Sequence, residues 1–302
     1  MTRITENVRP ENVRPIEGSG RVVARHDRRI GTILVEQGKL GPRDVERLLE
    51  LQQRDGLRIG EAALRAGLIT ANDLRNALAR QYDYPQLTPG SAGISREIVV
   101  AYEPLGTRAE ELRALRMQLQ IRWAHANESR RVLAITSPGP GEGRSYLTAN
   151  LAVVFSQLGE RTLLIDADLR APRQHRIFNV PDRVGLSAVL SGRADRGAVV
   201  PVPKFGGLSL LPAGAPPPNP QELLSRHALA KLLDELRPDY DVILFDTPPV
   251  MNFADAQSIA FRAGSVLILA RKDHTGLADT HAVIRELSDT GARVVGTVLN
   301  IF

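Results

Sequence analysis

The 302-residue chain has no cysteine, which excludes a disulfide framework and any thiolate metal site. Aromatic residues make up only 4% of it. These few rings are not interleaved with dense basic blocks, and the arginines are dispersed among Asp and Glu. The surface of a nucleic-acid polymer binder is therefore not expected, despite a formal charge of +5 and a pI near 9.9. No apolar run approaches the roughly 20 residues of a membrane span. Met1-Thr-Arg-Ile-Thr5 opens without the apolar core of a signal peptide. A cytoplasmic protein is expected, recruited to the inner face of the membrane by a partner. With 43% hydrophobic and 24% charged residues, the composition is that of ordinary globular domains, and the length allows two.

Four regions follow from the pattern along the chain. Residues 1–27 contain the direct repeat Glu6-Asn-Val-Arg-Pro10 and Glu11-Asn-Val-Arg-Pro15, then Gly18-Ser-Gly20. This stretch is too polar and too Pro-broken to bury a core, and is expected to be a disordered basic tail. In 28–84 a longer repeat appears. Arg29-Ile-Gly31, Gly38, Val45, Leu49 and Gln52 recur as Arg58-Ile-Gly60, Gly67, Leu74, Leu78 and Gln81, always 29 residues on. Val45, Leu48, Leu49 and Leu74, Ala77, Leu78 fall at helical spacing, and Thr70 with Asp73 suits a capping box. Each copy is expected to be a short helix, a Gly turn and a longer helix. Pro85, Pro89, Gly90, Gly93 and Pro104 mark 85–106 as a linker. A helix from Thr107 to about Trp123 then opens the last region, 107–302. On it Glu110, Arg113 and Arg116 share one side, where they can pair in cis or across a subunit boundary.

The last region is organised around Ser137-Pro-Gly-Pro-Gly-Glu-Gly-Arg-Ser145, between the apolar run Val132-Leu-Ala-Ile-Thr136 and a helical run from Tyr146 to Leu158. A buried strand, a Gly-rich turn and a helix make a phosphate-binding loop, where backbone N–H groups and a helix N-terminus surround an anion. Gly143 and Ser145 fit the GxxxxGK[ST] pattern, with Arg144 in place of Lys and Pro138 in place of the first Gly. Thr162-Leu-Leu-Ile-Asp166-Ala-Asp168 and Asp241-Val-Ile-Leu-Phe-Asp246 are apolar strands ending in carboxylates. Such ends project into the crevice where an α/β sheet binds ligand, and carboxylates there suit Mg²⁺ and a base for an incoming hydroxyl. Further strands are expected at 208–212, 265–270 and 293–299. The fold class is α/β, a P-loop, mostly parallel sheet with helices on both faces, behind a small helical tandem-repeat domain.

Two resemblances sharpen these expectations. The front repeat resembles the N-terminal domain of type II secretion and MshE-type pilus ATPases, whose tandem motif can bind cyclic di-GMP. The matching residues are Arg29, Gly31, Gly38 and Gln52 in the first copy and Arg58, Gly60, Gly67 and Gln81 in the second. Leu34 matches a further position where the second copy has Ala63, a loss expected to weaken an apolar contact facing the ligand. Paired Arg residues also suit a phosphodiester and guanine edges on chemical grounds.

From about Thr107 to Phe302 the sequence resembles the cytoplasmic domain of bacterial tyrosine kinases of capsule and exopolysaccharide synthesis. Pro140-Gly-Glu-Gly-Arg-Ser145 corresponds to Walker A, Leu164-Ile-Asp-Ala-Asp-Leu-Arg170 to Walker A′ and Leu244-Phe-Asp-Thr-Pro-Pro249 to Walker B. The resemblance implies ATP held by Gly139, Gly141, Glu142, Gly143, Arg144, Ser145 and Tyr146, and Mg²⁺ at Ser145, Asp168 and Asp246. It further implies a base in Asp166 or Asp168, with Arg144, Asp166, Asp168 and Asp246 as the catalytic set. Glu110, Arg113 and Arg116 match that family's oligomerisation motif. The implied partner is the cytoplasmic segment of a separate membrane chain-length determinant.

A Tyr-rich tail, which the family phosphorylates, is not among these residues. Tyr82, Tyr84 and Tyr102 near the linker are alternative acceptors. A nucleotide-dependent scaffold of the same export machinery is the competing reading, favoured by Arg144. A partition ATPase of the MinD kind carries a signature Lys early in its loop, where this chain has Gly139.

Overall fold

A computed structural model describes residues 29–81, 87, 93–125 and 131–301; the expected tail and both Tyr82 and Tyr84 lie outside the described residues. The two repeat copies fold alike. Helix α1 (Ile30–Glu36) leads to α2 (Pro42–Asp55), and α3 (Ile59–Arg65) to α4 (Ala71–Gln81). The short helix of each copy runs into a left-handed glycine, Gly38 at φ 66° and Gly67 at φ 68°, a conformation that a Cβ disfavours. The next helix is capped by an Asp three residues in. Asp44 accepts from the Gly41 N–H at 2.8 Å, and Asp73 accepts from the Thr70 N–H at 3.0 Å while its own N–H reaches the Thr70 hydroxyl at 3.1 Å. The Thr70 hydroxyl, with Lys39 at 2.9 Å, holds the Asp73 carboxyl down at about 2.

Neither copy buries its apolar face alone: α1 packs on α4 and α2 on α3. The shared core contains Ile33, Leu34, Leu48, Ala62, Ala63 and Ala77. Leu34 and Ala63 are both fully buried in it. The Leu-to-Ala difference between the copies is therefore a matter of internal packing, not the ligand-facing contact expected from the sequence. Gly60 allows a close approach of α3 and α4: a Cβ there would sit 2.5 Å from Leu74 Cδ1, so that side chain would have to move.

After α5 (Val99–Tyr102) and α6 (Thr107–His125), strands and helices alternate. The order is β1 (Arg131–Thr136), α7 (Arg144–Gln157), β2 (Thr162–Asp166), α8 (Gln174–Phe178), α9 (Leu186–Leu190), β3 (Val200–Pro201) and β4 (Leu208–Leu211). Then come α10 (Pro220–Ser225), α11 (His227–Leu236), β5 (Val242–Asp246), α12 (Asp255–Ala263), β6 (Ser265–Arg271), α13 (Leu277–Asp289) and β7 (Arg293–Asn300). The seven-stranded sheet runs β3-β4-β2-β5-β1-β6-β7 and is parallel except for β3, a two-residue antiparallel edge that sequence pattern did not reveal. Strands β2 and β5 are buried along their whole length, which explains why they read as unbroken apolar runs. One face carries Leu133, Ile135, Leu151, Phe155 and Trp123 with α6 and α7, and the other Val132, Ile165, Leu232, Ile259 and Val283 with α11 to α13.

The described part of the stretch expected to be a linker is packed into this core. Ile94, Ile98, Val100 and Ala101 are buried with α6 and α7. Asn150 of α7 donates to the Glu97 carbonyl at 2.8 Å, and the Ser95 N–H reaches the Ile177 carbonyl at 2.8 Å. Pro and Gly mark irregular backbone here, not an exposed one. Ile98→Ala is accordingly expected to cost about 2–5 kcal/mol in denaturant unfolding, where an exposed linker position would change stability by about 0.5 kcal/mol or less.

Candidate functional site: a glycine loop above two strand-end carboxylates

The sheet order places the ends of β1, β2 and β5 side by side. Asp166 and Asp246 are direct register partners across β2 and β5, and Ile135 of β1 is the partner of Asp246 on the other side. Strand β1 leads to a neighbour on one side of β5 while β5 itself leads back past β1 to β6, so the loops diverge here and leave a crevice. Into it projects the loop of residues 137–143. Gly141 (φ 72°) and Gly143 (φ 97°) take left-handed conformations within it, and Gly143 precedes the first residue of α7.

Arg144 is folded back into this loop. Its Nε donates to the Thr247 carbonyl at 2.9 Å and its Nη1 to the Gly139 carbonyl at 2.6 Å and to the Ser137 hydroxyl. Burial pulls its pKa down, and the charges of Asp246, Asp168 and Glu142 oppose that pull. The two N–H groups on Nη2 take no part in these bonds. Glu142 is also buried, but its carboxylate braces the loop: Oε2 receives the Gly139 N–H at 3.1 Å and Oε1 the Thr275 hydroxyl at 2.5 Å. Its side chain is thus committed within the protein. Burial pushes the Tyr146 phenol upward, against the pull of the Arg108 charge on α6.

The carboxylates differ in setting. Asp166 is fully buried; Oδ2 receives the backbone N–H groups of Arg173 (3.1 Å) and Gln174 (2.9 Å), and Oδ1 has no partner. Asp246 is also fully buried. Its Oδ2 receives Gln174 Nε2 at 2.8 Å and Oδ1 has no partner; the Gln174 amide and the Ser145 hydroxyl draw its pKa down against the effect of burial. Burial pushes both pKa values up, that of Asp246 to about 6 and that of Asp166 well above the usual carboxylate range, with the Asp246 charge adding to the effect on Asp166. Asp168, nearer the mouth, accepts from the N–H groups of Arg170 (3.2 Å) and Ala171 (3.0 Å).

Buried carboxylate oxygens without donors are costly unless a cation or proton meets them. Among the described residues no three acidic or imidazole groups gather as a metal cage. The unpartnered Oδ1 atoms of Asp166 and Asp246 suit Mg²⁺, which takes one or two carboxylates and completes its shell with phosphate oxygens and water.

Further residues hold the site together, of which Thr275, Asn300 and Gln174 lie outside the sequence motifs. The Thr247 carbonyl accepts from Arg144, the Thr275 hydroxyl donates to Glu142, and Asn300 Nδ2 donates to the Glu142 carbonyl at 3.0 Å, lacing the loop to the ends of β5, β6 and β7. Arg170 forms a two-pronged pair with buried Asp255 (2.7 and 3.1 Å) and lies 3.8 Å over the Phe253 ring. Gln174 is fully buried.

Away from the crevice, Glu110 pairs with Arg113 in cis, and Arg116 Nη1 donates to the Val154 carbonyl at 2.9 Å. In the front domain, Arg29 and Arg58 are exposed at the N-termini of α1 and α3, Gly31 and Gly60 are buried at helix contacts, and Gln52 and Gln81 are half-buried.

The raised Asp246 pKa has a definite sign. Between the unfolded value near 3.8 and the folded value of about 6, the native state retains a proton that the unfolded state has lost. Stability therefore falls as pH rises through that window, and Asp166 extends the fall upward. In urea unfolding without divalent ions, Asp246→Asn is expected to flatten the decline between pH 4 and 6 and to raise stability at pH 7.5 by on the order of 1–3 kcal/mol. An unchanged pH slope would contradict this account of the site.

Comparison with known proteins bears on the same region. A family model described as cellulose biosynthesis protein BcsQ matches residues 131–286, just over half of the chain. Tyrosine-protein kinase YwqD of Bacillus subtilis is 36% identical over 208 residues, covering 68% of this chain and 86% of that protein. Of some larger tyrosine-protein kinase relatives the chain spans only 25–28% of the length. Among solved structures, the kinase domain of Escherichia coli tyrosine kinase ETK matches at 30% identity and a TM-score of 0.64, over 68% of this chain and 80% of that one. MinD of Pyrococcus horikoshii, solved with Mg-ADP, matches at 27% identity and a TM-score of 0.51, over 57% of this chain and 70% of its own. By the near full-length match to YwqD, with the BcsQ model lying on the same sheet, the chain belongs to the bacterial tyrosine-protein kinase family of P-loop proteins.

Proposed function

We propose that this chain is an ATP-binding protein-tyrosine autokinase that regulates exopolysaccharide polymerisation and export. In this reading it works at the inner face of the membrane with a separate membrane chain-length protein. Among the described residues no helix is long and apolar enough to cross a membrane, in keeping with recruitment through that partner. The observation that carries the reading is the register pairing of Asp166 and Asp246 directly beneath a glycine loop that ends in Arg144 and Ser145. Kinship with tyrosine kinases at 36% identity, and with a MinD solved with Mg-ADP, supports the choice of nucleotide and reaction.

In the proposed reaction the loop N–H groups and the Nη2 donors of Arg144 bind the ATP phosphates. The tyrosine oxygen bonds to the terminal phosphorus, the bond to the ADP oxygen breaks, and a carboxylate of the 166–168 pair takes the phenolic proton. Ser145, Asp246 and the Asp166–Asp168 segment would hold Mg²⁺, which supplies charge neutralisation at the phosphate oxygens. Assembly of several subunits is part of the same proposal. Exposed Glu110, Met117 and Ile121 of α6 fall within an arc of about 40° around the helix, giving a mixed charged and apolar strip suited to a neighbouring copy.

The acceptor is expected outside the core. Tyr102 is half-buried and its hydroxyl donates to the Ile94 carbonyl at 2.6 Å, so Tyr82 and Tyr84 are the favoured sites. Incubation with ATP and Mg²⁺ followed by phosphotyrosine mass spectrometry should find phosphate at 82 or 84. Asp166→Ala should abolish it, and comparing Asp166→Asn with Asp168→Asn should identify the base. ATP binding with no phosphotyrosine, alone or with the partner's cytoplasmic segment, would leave a nucleotide-dependent scaffold, the reading favoured by the commitment of Arg144 to two loop acceptors and the Thr247 carbonyl.

For the front domain we propose cyclic di-GMP binding across the two copies, Arg29 and Arg58 engaging phosphates or guanine edges and Gln52 and Gln81 lying at the rim. The matched exposure of the two Arg residues at equivalent helix starts supports it. Calorimetry should show saturable binding that weakens about tenfold or more on Arg29→Ala or Arg58→Ala, in line with loss of a charged hydrogen bond. No heat and no competition at high ligand would remove it.

A further inference from the structure

Three functional segments of the site meet at one buried amide. Gln174 opens α8, and its backbone N–H donates to Asp166 Oδ2 at 2.9 Å. Its side-chain Nε2 donates at once to Asp246 Oδ2 at 2.8 Å and to the Ser145 carbonyl at 3.0 Å. The Ser145 carbonyl only accepts, as does Asp246 Oδ2 once ionised, so the amide nitrogen and oxygen cannot exchange places without setting acceptor against acceptor. The side chain is fully buried, and its Oε1, like Asp166 Oδ1 and Asp246 Oδ1, has no donor. Gln174 thus ties the end of β2, the end of β5 and the first turn of α7 together and leaves one oxygen of each carboxylate uncommitted.

We propose that Gln174 is the positioning residue of the site. By holding Asp246 Oδ2 and the Ser145 carbonyl through one nitrogen, it fixes the rotation of the Asp246 carboxylate. Oδ1 is thereby left without a donor, available to a divalent cation accompanying the nucleotide. Gln174 does not itself touch the reacting atoms; it acts through Asp246 and Asp166. This role rests on the reading of the crevice as a magnesium–nucleotide site. An outer residue that orients a metal ligand characteristically controls metal affinity by about 10–100-fold.

The test compares Gln174→Met, which has similar length and no donor, with the unaltered chain. ADP affinity is measured by calorimetry with and without Mg²⁺, alongside urea unfolding. The expected result is a loss of about tenfold or more in the gain in affinity that Mg²⁺ confers, with metal-free ADP binding within about twofold of the unaltered chain. Gln174→Glu, which sets a carboxylate against Asp246, should lose more of that gain. It carries the comparison if the methionine variant does not fold. Gln174→Asn keeps the amide but falls short by one methylene, and should recover less than half of the gain.

If both variants retain the full Mg²⁺-dependent gain, or lose affinity equally with and without Mg²⁺, the positioning role is overturned and Gln174 is only a packing residue. If the unaltered chain binds no ADP under either condition, the magnesium–nucleotide reading itself falls, and this role with it.

Discussion

Two carboxylates buried side by side at the ends of adjacent parallel strands are the constraint around which the P-loop domain is arranged. Asp166 and Asp246 lie in register on β2 and β5, so their mutual repulsion and desolvation are fixed by the sheet and cannot be relieved by moving a loop. Against the further negative charge of Asp168, their other neighbours supply donors or positive charge: two backbone N–H groups from the start of α8, the Gln174 amide, the Ser145 hydroxyl and the guanidinium of Arg144. Even so, one oxygen of each is left without a donor. A protein stable enough to carry that cost can recover it only from something that arrives with positive charge.

Arg144 shows how the loop tolerates a residue of different shape. A lysine at this position would end in a compact ammonium, whereas the planar fork of Arg spans from the Gly139 carbonyl to the Thr247 carbonyl and ties the loop to the end of β5. Glu142, Thr275 and Asn300 add a second set of ties from the other side. The loop is therefore held by its own side chains at both flanks, and its shape does not depend on phosphate alone.

Much of this was legible in the sequence because the informative residues sit close together along it. The glycine loop, Asp166 and Asp168, and Asp246 each follow an apolar run, and strand-end placement follows from that pattern alone. The 29-residue period gave the helix-turn-helix units and the Thr70–Asp73 cap for the same local reason. What escaped depended on residues far apart. Gln174 is 72 positions from the carboxylate it holds, and Asn300 is 158 from the loop carbonyl that it meets. The stretch 94–102 was misjudged because Pro and Gly report backbone irregularity and say nothing of what covers it. Ala63 was misjudged because a repeat motif gives equivalence between copies, not which way the equivalent side chains point.

The crossed packing of the front domain has its own consequence. Because α1 lies on α4 and α2 on α3, the two copies share a single interior, and opening either one strips cover from both. Such a unit melts as a whole, without a half-folded state built from one copy. A molecule held by Arg29 in the first copy would consequently restrain the second as well, so the duplication behaves as one thermodynamic body and not as two receptors in series.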